Sequence, residues 1–179
     1  SKAMSIRESS NELFKDIDRL KKELIIKSDG EFTSVEGLKK KDDVNAAPEI
    51  MLSEEGPQKG DSLKNWVIDY RTKLLSYIDD TSSSLYENIK SSLATKDDLS
   101  DPEHKRTWEQ KLFLGMPLVG SLTMMTKLQA DIRNAEADMI ERLITGVDEL
   151  DITITDIEAV VNAKSSYVVK GGKYQAEVF

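Results

Sequence analysis

The chain has 179 residues, 25 Lys+Arg against 33 Asp+Glu for a formal charge of −8, no cysteine and a single histidine. Disulfide frameworks and thiolate metal sites are therefore excluded, and His104, with no activating partner readable beside it, supplies neither a His-rich metal site nor a catalytic triad. A pI near 4.8 argues against nucleic-acid binding, which needs clustered Lys/Arg to displace counterions, while an apolar content of 39% predicts a foldable but thin core.

The first helix is predicted to open near Ser5, because Ser5-Ile6-Arg7-Glu8 reads as a capping box and Ser9-Ser10-Asn11-Glu12 repeats it. Leu13, Ile17, Leu20 and Leu24 then step by four, three and four, one apolar seam that calls for a long helical partner. From Ser28 to Gly60, Gly30, Gly37, Pro48, Gly56, Pro57 and Gly60 break the pattern. This reads as a long connection with one short helix around Val44 to Leu52, and its Lys39-Lys40-Lys41 triplet reads as a solvated loop.

A second helix is predicted from Asp61 or Ser62, with Leu63, Val67, Tyr70, Leu74 and Tyr77 on one side and Trp66 just off the seam against a neighbouring helix. Asp79 to Ser84 weakens helical propensity, and the phase resumes at Leu85, Ile89 and Leu93. The expectation is a kinked helix of about 33 residues, roughly 50 Å long, or two helices in line. Thr95 to Arg106 is polar, and Asp97, Asp98, Asp101 and Glu103 lack the glycine and terminal Glu of a calcium loop. Pro117 is placed to open a third helix of roughly 30 residues. Along it Met125, Leu128, Ile132, Ala135, Met139, Leu143 and Val147 share a face until Gly146 and the following acids close it. Met116, Met124, Met125 and Met139 read as gap-filling core.

At Leu150 the period changes to two: Leu150, Ile152 and Ile154 alternate with polar residues, as in a half-buried strand. Tyr167-Val168-Val169 and Tyr174 to Phe179 read as two more strands about the turn Lys170-Gly171-Gly172-Lys173. The fold class is thus mainly α, an elongated bundle of long amphipathic helices followed by the first strands of a β-rich domain. The domains are residues 1–148, the bundle, and residues 149–179, the start of a truncated β-rich second domain. No apolar run approaches the roughly 18 residues of a membrane span, and no secretory signal precedes the first helix. Ser1-Lys2-Ala3-Met4 reads as a cloning remnant, so upstream sequence is expected.

Three segments carry a family resemblance: Phe113-Leu114-Gly115-Met116-Pro117, the helical run Leu128 to Glu136, and Ser166 to Phe179. Together they resemble the periplasmic part of the gliding-motility and type IX secretion family GldM, also called PorM, with the likeness densest from Leu63 onward. The resemblance implies a homodimeric inner-membrane protein, its transmembrane helix upstream of Ser1, with a periplasmic shaft. It also implies a GldL-like membrane partner in a proton-driven motor, and outer-membrane ring proteins like GldK and GldN. The charged residue of that membrane helix would lie upstream of Ser1, so no proton-path residue falls on this chain.

The residues themselves point the same way, because long helices packed side by side resist bending. The leading expectation is a mechanical spacer without catalytic residues, cofactor, metal, nucleic acid or small-molecule substrate. Its helix-packing or oligomer-interface candidates are Leu13, Ile17, Leu20, Leu24, Leu128, Ile132 and Met139. The alternative is a periplasmic helical-bundle sensor, which requires a pocket with converging polar groups. An enzyme ranks third, since Asp79-Asp80 and Asp97-Asp98 are sequence neighbours that point apart on a helix.

Overall fold

The computed structural model describes residues 1–54, 58–100, 105–150, 161–163 and 176–178. It divides into two compact units, Ser1–Ile144 and Thr145–Phe179. The helices are α1 (Lys2–Asp29), α2 (Ala46–Met51), α3 (Lys59–Leu75), α4 (Ser84–Ser92), α5 (Trp108–Phe113) and α6 (Leu118–Leu150). Among the described residues of the second unit, strands β1 (Val161–Ala163) and β2 (Ala176–Val178) pair antiparallel, Asn162 opposite Glu177. The expected strand at Tyr167 to Val169, its turn at Lys170 to Lys173 and the alternation at Ile152 and Ile154 fall outside the described residues. Leu150 itself ends α6 and does not open a strand.

The first helix begins earlier than its capping boxes suggest. Ser1 is the N-cap, accepting from the Met4 amide, and α1 runs 28 residues, about 42 Å at the helical rise. Ser5 lies inside it, where its carbonyl accepts from the Ser9 hydroxyl. Gly30 ends the helix in the left-handed conformation at φ 83°, its amide bonded to the Ile26 carbonyl, a position where a β-carbon is strained.

The connection after α1 is ordered by its own polar groups. Asp29 accepts from the Lys39 and Lys40 amides, and the Lys40 ammonium returns to the Ser28 carbonyl at the end of α1. All three lysines of the triplet are exposed, as the solvated-loop reading expects, and what ties the loop to the end of α1 is the Lys39 and Lys40 amides and the Lys40 ammonium. Asp43 accepts from the Ser28 hydroxyl and from the Asn45 and Ala46 amides that open α2. The carbonyls of Asp43 and Lys41 accept the Leu118 and Val119 amides, filling donor positions that every helix start leaves unsatisfied. Pro117 stands one residue before the helix it was expected to open, and its carbonyl accepts from Ser121. Gly146 does not close α6, which continues to Leu150.

The predicted 33-residue helix is a hairpin. Asp80 accepts from the Ser82 amide and hydroxyl, and Ser83 caps α4 by accepting from Tyr86. Short polar side chains thus turn the backbone instead of kinking it. Because Arg71 donates to the Leu93 carbonyl and Lys64 to Asp97, α4 folds back along α3, which excludes the in-line arrangement.

Helix α1 is antiparallel to α3, joined by Ser9 with Lys73 at one end and Glu23 with Lys59 at the other. It is also antiparallel to α6, because Ser10, Asp18 and Lys21 meet Glu136, Gln129 and Thr126 in that order. The result is an up-down-up-down bundle whose third member, α4, is short. Its core holds Ile6, Leu13, Ile17, Leu20 and Leu24 of α1, Leu63, Val67 and Leu74 of α3, Ile89 and Leu93 around α4, and Leu118, Leu122, Met125, Ile132 and Met139 of α6. Each such fully buried aliphatic side chain is worth about 1.5–3 kcal/mol.

The short helices α2 and α5 converge on Gly60 at the start of α3. A β-carbon there would lie 2.6 Å from the Met51 carbonyl oxygen and 3.1 Å from Cβ of Glu109. Gly60→Ala is expected to destabilise the chain by about 1–3 kcal/mol despite alanine's higher helix propensity. Thermal or urea unfolding checks this, and a variant as stable as the parent would mean that α2 shifts freely away from α3.

Candidate functional site

The candidate residues of the first unit are Leu13, Ile17, Leu20, Leu24, Leu128, Ile132 and Met139. All seven are buried in the chain's own core. What they share is the contact of α1 with its antiparallel neighbours, and that contact is where the unusual chemistry lies.

Along α1 and α6 the apolar seam is interrupted at regular intervals by buried polar groups. Ser10, 0% exposed, donates to the Glu136 carboxylate at 2.6 Å, and Arg133 donates to Glu136 at 2.7 Å and to Ser10 at 3.1 Å. The Arg133 guanidinium also lies over the Phe14 ring at 4.6 Å. One turn further, the Gln129 amide donates to the Phe14 carbonyl and to Asp18, and accepts from Lys21, which also reaches Thr126. Tyr70 of α3 enters the same layer. Its hydroxyl donates toward the Ile132 carbonyl, and burial pushes its pKa up to about 12. Each bond has one geometry that satisfies it, so sliding α1 against α6 by one residue would orphan several buried groups at once. Apolar side chains alone impose no such penalty.

Another side of the bundle is fastened by charge. Lys64 of α3 bonds Asp97 at 2.8 Å and lies 3.2 Å from the Glu109 carboxylate. Asp97 also accepts from the Trp108 amide at the start of α5, which Thr107 and Gln110 close with a reciprocal capping box. Asp98 accepts from the Ser100 amide and hydroxyl and pairs backbone to backbone with Arg106. These acids are structural ties, and Asp80 in the α3–α4 turn is another; Asp101, Glu103 and His104 lie outside the described residues. Among the described residues no group of three His, Asp or Glu side chains is placed to hold a metal ion.

Among the described residues of the first unit are two solvent-open grooves. One, of ≈ 210 Å³, lies between α1 and α3 and includes Leu13, Trp66 and Tyr70 in its lining; the other, of ≈ 360 Å³, is mostly apolar and lies between Val35 and the outer face of α6. Trp66, expected against a neighbouring helix, is 37% exposed at the first groove.

With this geometry the comparison with known families can be read. The profile of the GldM N-terminal domain matches residues 1–146, most of the chain. The chain belongs to that family. It is therefore a component of the gliding-motility and type IX secretion machinery. The GldM match spans the Ser28 to Gly60 connection, where the sequence likeness is thinnest, and stops short of the Ser166 to Phe179 segment that also carries it. No curated protein matches the chain. No helix among the described residues is long and apolar enough to cross a membrane.

Ser10, Gln129, Arg133 and Glu136 do not stand out as site residues in the sequence. A usable signal exists: Ser10 falls in phase with Ile6, Leu13 and Ile17, and Gln129 and Glu136 in phase with Leu128, Ile132, Ala135 and Met139. Polar residues on the buried stripe of a helix mark where it must be matched.

The charge ties give a pH prediction. Hydrogen bonds from Lys64 and the Trp108 amide hold the Asp97 carboxyl below the usual carboxylate range. A carboxyl depressed in the folded state contributes stability that is complete above its unfolded pKa and is lost as pH falls through its folded value. Asp97→Asn is thus expected to cost about 1 kcal/mol at neutral pH, a value kept small by the exposure of Asp97. The gap from the parent should close on acidification below about pH 4. Urea midpoints measured between pH 2 and 7 check this, and parallel curves at all pH values would contradict it.

Proposed function

We propose that this bundle is a stiff section of a periplasmic shaft that carries proton-driven movement from the inner membrane to the outer-membrane ring of the type IX machinery. In this reading the protein is a homodimer anchored at the periplasmic face of the inner membrane by a helix upstream of Ser1. A GldL-like membrane protein drives it, and GldK-like and GldN-like ring proteins receive the motion. The chain makes and breaks no bond itself.

The observation that supports this reading is the polar ladder between α1 and α6, buried at Ser10, Gln129 and Glu136 and reaching the surface at Lys21 and Thr126. A part that transmits force must not slip internally. Ser10 to Glu136, Gln129 to Asp18 and Lys21 to Thr126 give α1 one axial position against α6 along several helical turns. A sensor bundle works the opposite way, by letting helices shift when a ligand binds.

That contrast supplies the test. The chain has no cysteine, so Lys21→Cys with Thr126→Cys places a single crosslinkable pair across the α1–α6 contact. Locking this pair in cells with a reducible bis-thiosulfonate reagent, long enough to replace the lysine stem that spans the contact, is expected to leave secretion and gliding at the level of the reduced variant. The double variant Ser10→Ala with Gln129→Ala, which loosens the same contact by about 2–4 kcal/mol, is expected to lower both. Loss of transport on locking, regained on reduction, would replace the strut with a moving element.

A further inference from the structure

The groove between α1 and α3 has an electrostatic feature that the stability of the bundle does not explain. The antiparallel register is set by Lys73 with Ser9 at one end and Lys59 with Glu23 at the other. Between these clamps Glu12 and Asp16 come from α1, and Trp66 and Asp69 from α3, all lining one opening of ≈ 210 Å³ floored by the buried Leu13 and Tyr70. Asp16 is paired with Arg19 on its own helix. Glu12 and Asp69 have no ion-pair partner among the described residues, and the one cation in the lining, Lys73, is held at one end of the groove by the Ser5 carbonyl and the Ser9 hydroxyl. Carboxylates of one sign gathered in a groove favour a cation between them. Trp66, 37% exposed, adds an indole of the kind that dominates binding surfaces when it stands in a groove.

We infer that this groove docks a basic segment of a partner protein, with an Arg or Lys side chain laid over Trp66 and between Glu12 and Asp69. The chemistry is complementary at each point. A cation placed there pairs with the unpartnered Glu12 and Asp69 carboxylates, the indole face attracts it through its quadrupole, and the apolar floor of Leu13 and Tyr70 receives the methylene stem that such side chains bury. An acidic or purely apolar segment satisfies only the floor. The surface is independent of the strut reading: a stiff shaft needs no such groove, and a groove of this kind does not require stiffness.

The test uses the full 179-residue chain labelled with ¹⁵N, following the indole N–H signals of Trp66 and of the buried Trp108. The probe is a six-residue peptide of alternating Arg and Leu, and the control is its Glu-Leu counterpart. The Trp66 signal is expected to move and saturate with the Arg peptide, while that of Trp108 stays in place. Glu12→Gln with Asp69→Asn, both exposed, should weaken binding at least about ten-fold, and Trp66→Leu, read on the amides of Leu13 and Tyr70, about five-fold. Raising salt from 50 to 300 mM should weaken it further. The inference is overturned if the Trp66 signal stays still, if the Glu peptide moves it equally, or if the carboxylate variant binds as well as the parent. It is also overturned if the signal moves with protein concentration alone, which would make the occupant a second copy of this chain.

Discussion

The constraint on which the first unit rests is that α1 must satisfy two antiparallel neighbours at once. One side of the helix meets α3 through Ser9 and Glu23, the other meets α6 through Ser10, Asp18 and Lys21. Between these two lines runs the apolar seam from Ile6 to Leu24. The seam supplies most of the favourable free energy, since removing apolar surface from water is the dominant drive to fold. The polar lines add little net stability but a steep penalty for misalignment. Affinity between the helices and precision of their alignment therefore come from different residues of the same helix.

The remaining elements serve to close this arrangement. Asp43 binds the Ser28 hydroxyl at the end of α1, the first amides of α2 and, through its carbonyl, the first amide of α6. Three helix ends are held by one residue in what composition alone describes as a loop. At the opposite side of the bundle the Lys64, Asp97 and Glu109 group does similar work for the α4–α5 connection. Burial pushes the Glu109 carboxyl up, yet its own backbone amide and Lys64 outweigh this and keep it low, so the pair stays charged at the foot of the helices.

Much of this is legible from spacing. The steps of three and four from Leu13 to Leu24 and from Met125 to Met139 identify helices and their buried faces, because a stripe of apolar residues has only one place to go. The short helix near Val44 to Leu52 is also readable. What spacing does not carry is direction. The phase from Leu63 to Tyr77 and from Leu85 to Leu93 is the same whether the second segment continues or doubles back, and only the long-range bond of Arg71 to Leu93 decides it. Helix limits mislead where local signals compete: Ser5 looks like a cap but Ser1 takes the role, and Gly146 looks like a stop but α6 passes through it. Trp66 reads as a packing residue because large aromatics usually are buried, whereas the groove it stands in is formed with Glu12, Leu13 and Asp16 of α1, far away in sequence.

The start of α6 depends on acceptors more than seventy positions earlier. Its first two amides are received by the carbonyls of Asp43 and Lys41, so the helix has no complete N-terminus until α1 and its connection are already in place. In synthesis, and in threading across a membrane N-terminal end first, the N-terminal part emerges ahead and can present those acceptors before Leu118 follows. The order of translation is thus also the order in which this bundle can be assembled, and a chain whose ends were exchanged by circular permutation would have to build its longest helix before the groups that define where it begins.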